Sequence, residues 1–312
     1  MCGIVGLYIK NVALQRQLGA LFAPMLIEMA DRGRDSAGIA IYGDEVDADH
    51  VKLTLQHEDL NYDWSSVVGV LEAGTGAMVD WFQNAGAVVV KMKGDGAAAR
   101  SLLSAKFPDV AIRSVGRSIE ILKDTGSPEV ICEKFNVFGM QGSHIIGHTR
   151  MATESAVTTD GSHPFSTGYD LCLVHNGSLS NHNRLRAHLK KQGIAFETMN
   201  DSEVAAGYVM WRMRQGRSLE EALIAALDDL DGFYTLTVGT RDGFAVVRDR
   251  IACKPAIIAE TDDYVAMASE YRALASLPGI KSARLWEPEP GEVYAWGHSG
   301  HKETVGQELE LA

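Results

Sequence analysis

The hydrophobic and polar residues of the first 42 positions predict a strand, a helical segment and a second strand. Residues 3–9 (GIVGLYI) form an unbroken apolar run, which is typical of a buried strand. Apolar residues recur at helical spacing through 18–29, and Pro24 among them predicts a kink or a break between two shorter helices. A charged loop at 31–35 follows, and a strand is expected near 37–42.

The middle of the chain, residues 43–142, gives weaker signals. Its clearest stretch is 86–103 (GAVVVKMKGDGAAARSLL), which predicts a strand, a glycine turn and a helix. The segment contains no internal repeat and no low-complexity tract.

The pattern becomes clearer from residue 144 onward. Strands are predicted at 144–149 and 170–175, and helices at 183–192 and about 200–214. Gly193 is a typical helix C-cap, and Ser218 and Glu221 form a capping box before a further amphipathic helix. Short strands are expected at 233–239, 244–248, 255–259 and 264–268. This order of strands, then helices, then strands along the chain favours a layered α+β fold over a doubly wound parallel sheet.

Composition narrows the class of protein. With 312 residues, 46% of them hydrophobic, the chain can bury the core of one large domain or two small ones. The net charge of -12 argues against a nucleic-acid surface, which needs clustered Lys and Arg. No apolar run approaches the roughly 20 residues that cross a bilayer. The N-terminus lacks the basic and apolar parts of a signal peptide, so a cytoplasmic protein is expected.

The chain has four cysteines, and none forms a CxxC pair, so a zinc knuckle or redox pair is not expected. Cys172 and Cys253 follow apolar residues and are predicted to be inert buried thiols, whereas Cys132 is ambiguous. Cys2 differs, because removal of Met1 makes it the N-terminal residue. A free thiol has a pKa of about 8.5 and an α-amine one of about 7.7–8.0, so one residue then carries both a nucleophile and a general base.

Seven short motifs occur along the chain in the following order: CGIVG at 2–6, RGRDSAG at 32–38, GHTRMAT at 147–153, SHP at 162–164, HNG at 175–177, NDSE at 200–203 and ASE at 268–270. Together they resemble the class II glutamine amidotransferases, which include the glutaminase domains of glucosamine-6-phosphate synthase, phosphoribosyl-pyrophosphate amidotransferase and asparagine synthetase. The resemblance covers residues 2–42 and about 144–296. It implies the N-terminal-nucleophile hydrolase fold, an α+β four-layer αββα sandwich.

The resemblance also implies a domain organisation and a catalytic centre. The amidotransferase domain would span residues 1–297, with an insertion at about 43–142 and a polar tail at 298–312. Cys2 would be the nucleophile, and Arg32 would order the loop around it. The Asn176 side chain and the Gly177 backbone N–H would form the oxyanion hole. The alternative for this Asn-Gly pair is a simple turn.

Substrate binding is assigned by the same resemblance. Arg150 would hold the glutamine α-carboxylate through its fork of N–H donors. Asp201 would hold the α-ammonium group, and Thr153 would line the site. The alternatives are a surface charge for Arg150 and a helix N-cap for Asp201.

Other motif residues have supporting or uncertain roles. His163 is assigned a supporting role, and His148, His163 and His175 are interpreted as structural hydrogen-bonding residues. Met151 stands where relatives often have Trp, and Glu154 stands where they often have His. Both departures affect the segment expected to close over glutamine.

Class II enzymes deliver ammonia to a second active site, and no phosphate loop, sugar-isomerase or flavin motif follows the motifs found here. The synthase is therefore expected on another polypeptide. The insertion resembles the amidotransferase-like subunit of glutamate-synthase-related complexes, including N-methylglutamate synthase. This implies a hetero-oligomer with synthase-like and flavin-binding subunits, glutamine as substrate, and neither a cofactor nor a metal on this chain.

Two rival hypotheses remain. The first is an N-terminal-nucleophile hydrolase that cleaves another amide without a transfer partner, against which the Arg150 and Asp201 pair counts. The second is a degenerate subunit with a structural or regulatory role, against which the intact Cys2 and Asn176-Gly177 count.

Overall fold

The computed structural model describes residues 2–152 and 156–297. The strands in this part of the chain are β1 (Gly3–Ile9), β2 (Ser36–Tyr42), β3 (His50–Gln56), β4 (Asp80–Asn84), β5 (Ala87–Lys93), β6 (Ala111–Gly116), β7 (Ile119–Thr125), β8 (His144–Arg150), β9 (Phe165–Gly168), β10 (Leu171–Leu179), β11 (Gly232–Thr240), β12 (Gly243–Arg248), β13 (Ile257–Glu260), β14 (Tyr264–Ala268), β15 (Arg284–Trp286) and β16 (Val293–Gly297). The α-helices are α1 (Leu18–Ile27), α2 (Trp64–Thr75), α3 (Gly96–Lys106), α4 (Pro128–Lys134), α5 (His182–Lys191), α6 (Asp201–Arg214) and α7 (Leu219–Asp229).

These strands form three antiparallel sheets. The first has seven strands in the order β15-β13-β14-β1-β8-β2-β7, and the second has five in the order β16-β12-β11-β10-β9. The third has four strands in the order β4-β5-β3-β6. The central strands of the first sheet, β1 and β8, pair from Gly3 with Thr149 to Tyr8 with His144.

The first two sheets face each other, and the alternation of side chains along each strand accounts for this packing. In β1, Ile4 and Tyr8 belong to the apolar cluster between the sheets, whereas Val5 and Leu7 belong to the cluster beneath the first sheet. Successive side chains of a strand point to opposite faces, so a strand that is apolar throughout is buried on both. The predicted run 3–9 therefore corresponds to a central strand.

Helices cover the outer face of each of these two sheets. Helices α1 and α4 pack on the seven-stranded sheet through residues such as Phe22 and Ile131. Helices α5, α6 and α7 pack on the five-stranded sheet through Leu189, Val209 and Leu223. The result is the four-layer αββα sandwich of an N-terminal-nucleophile hydrolase, as the family resemblance implies.

Residues 50–116, called the insertion module, form the third sheet and its two helices. Helices α2 and α3 cover one face of this sheet, where Leu53 packs with Trp64 and Leu103. The other face lies against β7 of the sandwich and buries the polar side chains of Lys52 and Gln56. The module is thus an apolar two-layer unit attached to the sandwich through a polar contact.

The structure divides the segment 43–142 differently from the sequence interpretation. Residues 119–125 form β7, which pairs with β2 along its whole length. Helix α4 then packs in the core beneath the seven-stranded sheet. Residues 119–142 therefore belong to the sandwich. The polar residues Glu120, Lys123 and Asp124 obscure the strand pattern of β7 in the sequence.

Several helix boundaries follow their sequence signals. Ser218 and Glu221 form the predicted reciprocal capping box. Gly193 has a φ of +80° directly after α5, which fits its predicted C-cap position. The predicted break at Pro24 is wrong, since one helix, α1, continues through it and surrounding apolar contacts hold it in place. No helix among the described residues is long and apolar enough to cross a membrane.

Candidate active site

Cys2 lies at the head of β1, in the middle of the seven-stranded sheet. Gly3 allows this end of the strand to fit between two neighbouring side chains, because a Cβ at Gly3 would lie 2.8 Å from both Met29 Cβ and Thr149 Oγ1. Any larger residue would push Cys2 away from β8. The glycine of the CGIVG motif thus has a steric reason.

The backbone carbonyl of Cys2 accepts two side-chain hydrogen bonds. Arg32 Nε donates to it at 2.9 Å, and Asn176 Nδ2 donates to it at 3.2 Å. Arg32 is buried, and its Nη1 forms an ion pair with Glu270 Oε1 at 2.7 Å. Three motifs that are distant in sequence, RGRDSAG, HNG and ASE, therefore meet at Cys2.

Ser269, the residue before Glu270, holds Ile4 of β1 in place. Ile4 N donates to Ser269 Oγ at 2.9 Å, and Ser269 N donates to Ile4 O at 2.9 Å. The ASE motif thus holds β1 directly through Ser269 and holds Arg32 through Glu270. Sequence analysis assigned no role to either residue, although the motif itself marks them.

Asn176 and Gly177 lie within β10, so their interpretation as a turn is wrong. Asn176 shares the face of Cys172 and Val174, which points toward the seven-stranded sheet. Gly177 has a φ of +156°, and a Cβ there would lie 1.9 Å from Phe233 O. This position excludes every side chain, because the neighbouring strand passes too close.

Arg150 ends β8 and is buried, so its interpretation as a surface charge is wrong. It shares the strand face of His148, which points toward the five-stranded sheet. Its Nη1 lies 3.4 Å from Ala156 O. Its carbonyl accepts from Asp35 N at 3.0 Å, which ties β8 to the RGRDSAG loop.

Asp201 is the first residue of α6, and it does not cap that helix. The N-cap is Asn200, whose side chain accepts from Ser202 N at 2.9 Å. Asp201 Oδ2 instead accepts from Leu179 N at 2.9 Å, two residues beyond Gly177. The capping interpretation is therefore wrong, and the carboxylate is directed toward the end of β10.

Three buried histidines lie behind Asn176. His148 Nε2 lies 3.1 Å from His175 O, and His175 Nδ1 lies 2.8 Å from Ser202 Oγ. The His163 ring stacks on His148 with 3.9 Å between centroids, and neither ring nitrogen has a hydrogen-bond partner among the described residues. The structural hydrogen-bonding role holds for His148 and His175 but is wrong for His163.

Burial keeps these imidazoles neutral. Loss of solvation lowers the pKa of His148 to about 3, lowers that of His163 well below its usual value, and lowers that of His175. Neutral imidazoles next to Asn176 leave the candidate site without an additional positive charge. They should also make the stability of the fold sensitive to acid, because protonation would place a charge in an apolar interior.

Lys123 is a further buried group that sequence analysis missed. Its side chain extends from β7 toward the loop that carries His163 and is buried there. Burial lowers the pKa of Lys123 to about 7. No motif marks Lys123, so only the three-dimensional contacts identify it.

The predicted site residues differ in how far the structure describes them. Cys2, Arg32 and Asn176 meet at one carbonyl, Gly177 follows in the same strand, and Asp201 bonds to the end of that strand. Thr153 lies outside the described residues, as do Glu154 and the tail at 298–312.

Among the other cysteines, one prediction fails. Cys132 and Cys172 are buried, and burial raises each pKa to about 12. Cys253 is exposed, because it lies in the loop after β12 and not in a strand. The prediction of a buried thiol at Cys253 is therefore wrong.

Two other features lie away from Cys2. A polar cavity of about 460 Å³ lies at the opposite end of the sheet, lined in part by Arg16, Glu45 and Arg241. A second feature is the cluster of Asp47, Asp49 and His50 at the start of β3. Asp49 of this cluster already pairs with Lys93. Neither feature approaches the candidate site, so both are set apart from its chemistry.

The sandwich of two facing sheets between helices, with a cysteine at the head of its central strand, defines the class as an N-terminal-nucleophile hydrolase. Comparison with known proteins agrees. The family model for the glutamine amidotransferase domain matches residues 148–276. The glutamine amidotransferase-like protein GlxB of Rhizobium meliloti is 56% identical over 299 residues, which cover 96% of this chain and 99% of that protein. This chain belongs to the class II glutamine amidotransferase family.

More distant relatives are consistent with that family. A protein of Methanothermobacter thermautotrophicus is 32% identical over 94% of this chain and 98% of its own length. Among solved structures, the glutamine phosphoribosylpyrophosphate amidotransferase of B. subtilis has a TM-score of 0.62 at 20% identity. That alignment covers 98% of this chain and 50% of the other, so this chain spans half of its length. At this identity the similarity concerns the fold alone.

Proposed function

We propose that this chain hydrolyses glutamine to glutamate and ammonia, with Cys2 as the nucleophile after removal of Met1. The observation that carries the proposal is the 3.2 Å contact between Asn176 Nδ2 and the Cys2 carbonyl. It places an amide donor next to the residue that bears the thiol. The same carbonyl is held by Arg32, so the position of Cys2 is determined before substrate binds.

The proposed reaction uses one residue as nucleophile and base. The Cys2 α-amine takes the thiol proton, and the sulfur forms a bond to the amide carbon of glutamine. The carbon–nitrogen bond then breaks, and the departing nitrogen receives that proton and leaves as ammonia. Water hydrolyses the remaining thioester, which releases glutamate and restores the thiol.

Asn176 and Gly177 would stabilise the oxyanion formed during the attack. A side-chain amide carries two N–H donors, and one of those on Asn176 is engaged by the Cys2 carbonyl. The second donor is available for the developing charge. The Gly177 N–H would supply the other hydrogen bond, in a position where no side chain fits.

Arg150 and Asp201 would hold the amino-acid end of glutamine. The two groups have opposite charges, as the α-carboxylate and α-ammonium of an amino acid require. Asp201 uses one oxygen for Leu179 N, which leaves lone pairs for an ammonium group. Thr153 is proposed to line the same site.

We further propose that the ammonia serves a synthase on a separate subunit, in a glutamate synthase-like or N-methylglutamate synthase complex with flavin on a partner. Exposed apolar side chains on the module support a docking surface, because Trp81 and Phe82 are 39% and 43% exposed on its edge strand β4. A cytoplasmic location and the absence of a metal and a cofactor from this chain belong to the same proposal.

The test combines N-terminal mass spectrometry with a glutaminase assay. The mature protein should begin at Cys2, and Cys2→Ala and Cys2→Ser should abolish hydrolysis while the fold persists by circular dichroism. Cys253→Ser, which changes an exposed cysteine, is the matched control and should keep full activity.

Other outcomes would favour the rival hypotheses. Full glutaminase activity with Met1 attached would contradict the proposed base. A chain that begins at Cys2 but never hydrolyses glutamine, alone or with the proteins that co-purify with it, would indicate a structural or regulatory subunit. Hydrolysis of another amide in preference to glutamine would indicate a different amidohydrolase.

A further inference from the structure

Residues 158–170, called the SHP arm, run beside the candidate site. A Cβ at Gly161 would lie 3.4 Å from Arg150 Nη1, so the arm borders the arginine proposed to bind glutamine. Two residues further on, the His163 ring stacks on His148. A shift of this arm would therefore change the surroundings of Arg150 and of the histidines behind Asn176.

The insertion module holds the first end of the SHP arm through Arg113 of β6. Arg113 Nη1 pairs with Asp160 Oδ1 at 2.7 Å, and Arg113 Nε donates to Gln56 Oε1 at 2.7 Å. Only 9% of the Arg113 side chain is exposed, against 67% of Asp160, so the buried guanidinium is held in one geometry and the carboxylate reaches it from the surface. Gln56 Nε2 in turn donates to Lys123 O at 3.0 Å.

Lys123 continues this contact from beneath the arm. Its Nζ donates to Ser162 O at 2.6 Å and lies 3.3 Å from both Asp160 O and Pro164 O. These carbonyls flank His163 on both sides. The module therefore contacts the strand residue that fixes the backbone of the SHP motif.

The other end of the SHP arm is held at the exit from the module. The Asp170 carboxylate accepts from the backbone N–H groups of Arg117, Ser118 and Ile119 at 2.8 to 3.1 Å. Asp170 N donates to Val115 O at 3.0 Å. Both ends of the arm are thus attached to the module or its connection to β7.

We propose that the insertion module positions the SHP arm for glutamine binding, with Arg113 as the positioning residue. This inference rests on the proposed role of Arg150. The module would hold the arm against the arginine, and a partner that changes the module would change glutamine affinity through the same contacts. Arg113 bonds to Asp160 and Gln56 and not to a residue proposed to bind glutamine, so its effect should act through the position of the arm and fall on binding more than on the chemical step.

The test measures KM and kcat for glutamine in Arg113→Ala and Asp160→Asn. Coupling through packed and hydrogen-bonded contacts should raise KM about 3- to 30-fold in each, with a smaller change in kcat. The double variant should resemble Arg113→Ala, because Asp160→Asn then removes only a charge that has already lost its partner. Arg113→Lys keeps a charge for Asp160 and should restore part of the affinity.

Arg100→Ala is the matched control, since the ion pair of Arg100 joins α3 of the module to Glu197 of the sandwich and involves no residue of the SHP arm. It should leave KM unchanged. Amide hydrogen exchange at 158–165 should be faster in Arg113→Ala and Asp160→Asn than in this control.

The outcomes separate this inference from the proposed function. Glutamine hydrolysis with an unchanged KM in both Arg113→Ala and Asp160→Asn would overturn the inference alone. Equal exchange rates at 158–165 in all variants would also overturn it. Absence of glutamine hydrolysis by the wild-type chain, with or without co-purified proteins, would overturn the proposed function and this inference with it.

Discussion

The sandwich and the insertion module are joined by a different kind of contact from the one that joins the two sheets of the sandwich. Between those sheets, apolar side chains such as Ile146, Val174 and Phe244 pack together. Between the module and β7, the buried Lys52 pairs with Glu120 at 2.9 Å and also donates to Asp44 O at 2.7 Å. The first contact is an apolar seam, and the second is a polar seam.

The two kinds of contact contribute differently to the stability of the fold and to the orientation of the module. Apolar burial is non-directional and roughly proportional to area, so it supplies most of the folding free energy. A buried ion pair gives little net stability, but loss of one partner leaves the other uncompensated. The apolar seam therefore stabilises the sandwich, whereas the polar seam fixes how the module sits on β7.

Phe244→Ala should produce the largest effect. Phe244 is buried in the apolar seam, so its truncation should lower the free energy of unfolding by about 3–5 kcal/mol through lost burial and a cavity. Denaturant unfolding measures the loss. Ile224→Ala on the exposed side of α7 is the control and should stay within about 0.5 kcal/mol. A loss as small as the control's would mean that the seam is not closely packed.

Lys52→Met should produce a smaller but still clear effect. It removes the polar partner of Glu120 and should lower the free energy of unfolding by about 1–3 kcal/mol. The double variant Lys52→Met/Glu120→Leu should recover most of that loss, because it removes both members of the buried pair. If the double variant is less stable than Lys52→Met, the polar seam contributes net stability and the comparison fails.

The two seams also differ in how well they can be predicted from sequence. The strands of the apolar seam appear as apolar runs, and β1 follows the predicted bounds, because burial on both faces leaves a continuous signal. The strand β7 has no such signal, since Glu120, Lys123 and Asp124 make polar contacts with Lys52, Ser162 and Thr159, which are far away in the chain. Such contacts have no local pattern.

At the candidate site, the motifs propose residues but cannot give their geometry. Sequence placed Asp201 at a helix start, yet only the fold shows that Asn200 caps the helix and that Asp201 bonds to Leu179. Neither could sequence show the contact between Arg113 and Asp160, which joins residues 47 positions apart. Side-chain direction at a loop depends on tertiary packing, which local propensity does not encode.

The pH dependence of stability should distinguish the sandwich from the module. His163 has a pKa well below its usual value when folded, whereas the unfolded group titrates near 6.5. The unfolded state therefore binds more protons below pH 6.5. The contribution of His163 to stability is full above that pH and is lost as pH falls. One such group should cost about 1 kcal/mol between pH 7 and pH 5.5.

His163→Phe tests that assignment by denaturant unfolding at the two pH values. Phe keeps an aromatic ring for His148 and removes a group that has no hydrogen-bond partner among the described residues. The pH-dependent loss should shrink by about 1 kcal/mol. His50→Phe in the module is the comparison variant, because the His50 side chain is 36% exposed whereas His163 is buried. An equal loss in all three proteins would place the acid sensitivity elsewhere.

Arg100→Ala should have the smallest effect, and it tests whether the polar seam acts through burial. Arg100 and Glu197 join the module to the sandwich as Lys52 and Glu120 do, but their side chains are 39% and 65% exposed. Solvent screens this pair and already hydrates both groups, so unfolding free energy should change by no more than about 0.5 kcal/mol. Raising the salt concentration should remove even that difference, whereas the loss in Lys52→Met should persist. A loss in Arg100→Ala equal to that in Lys52→Met would mean that charge pairing itself, and not desolvation, holds the module in place.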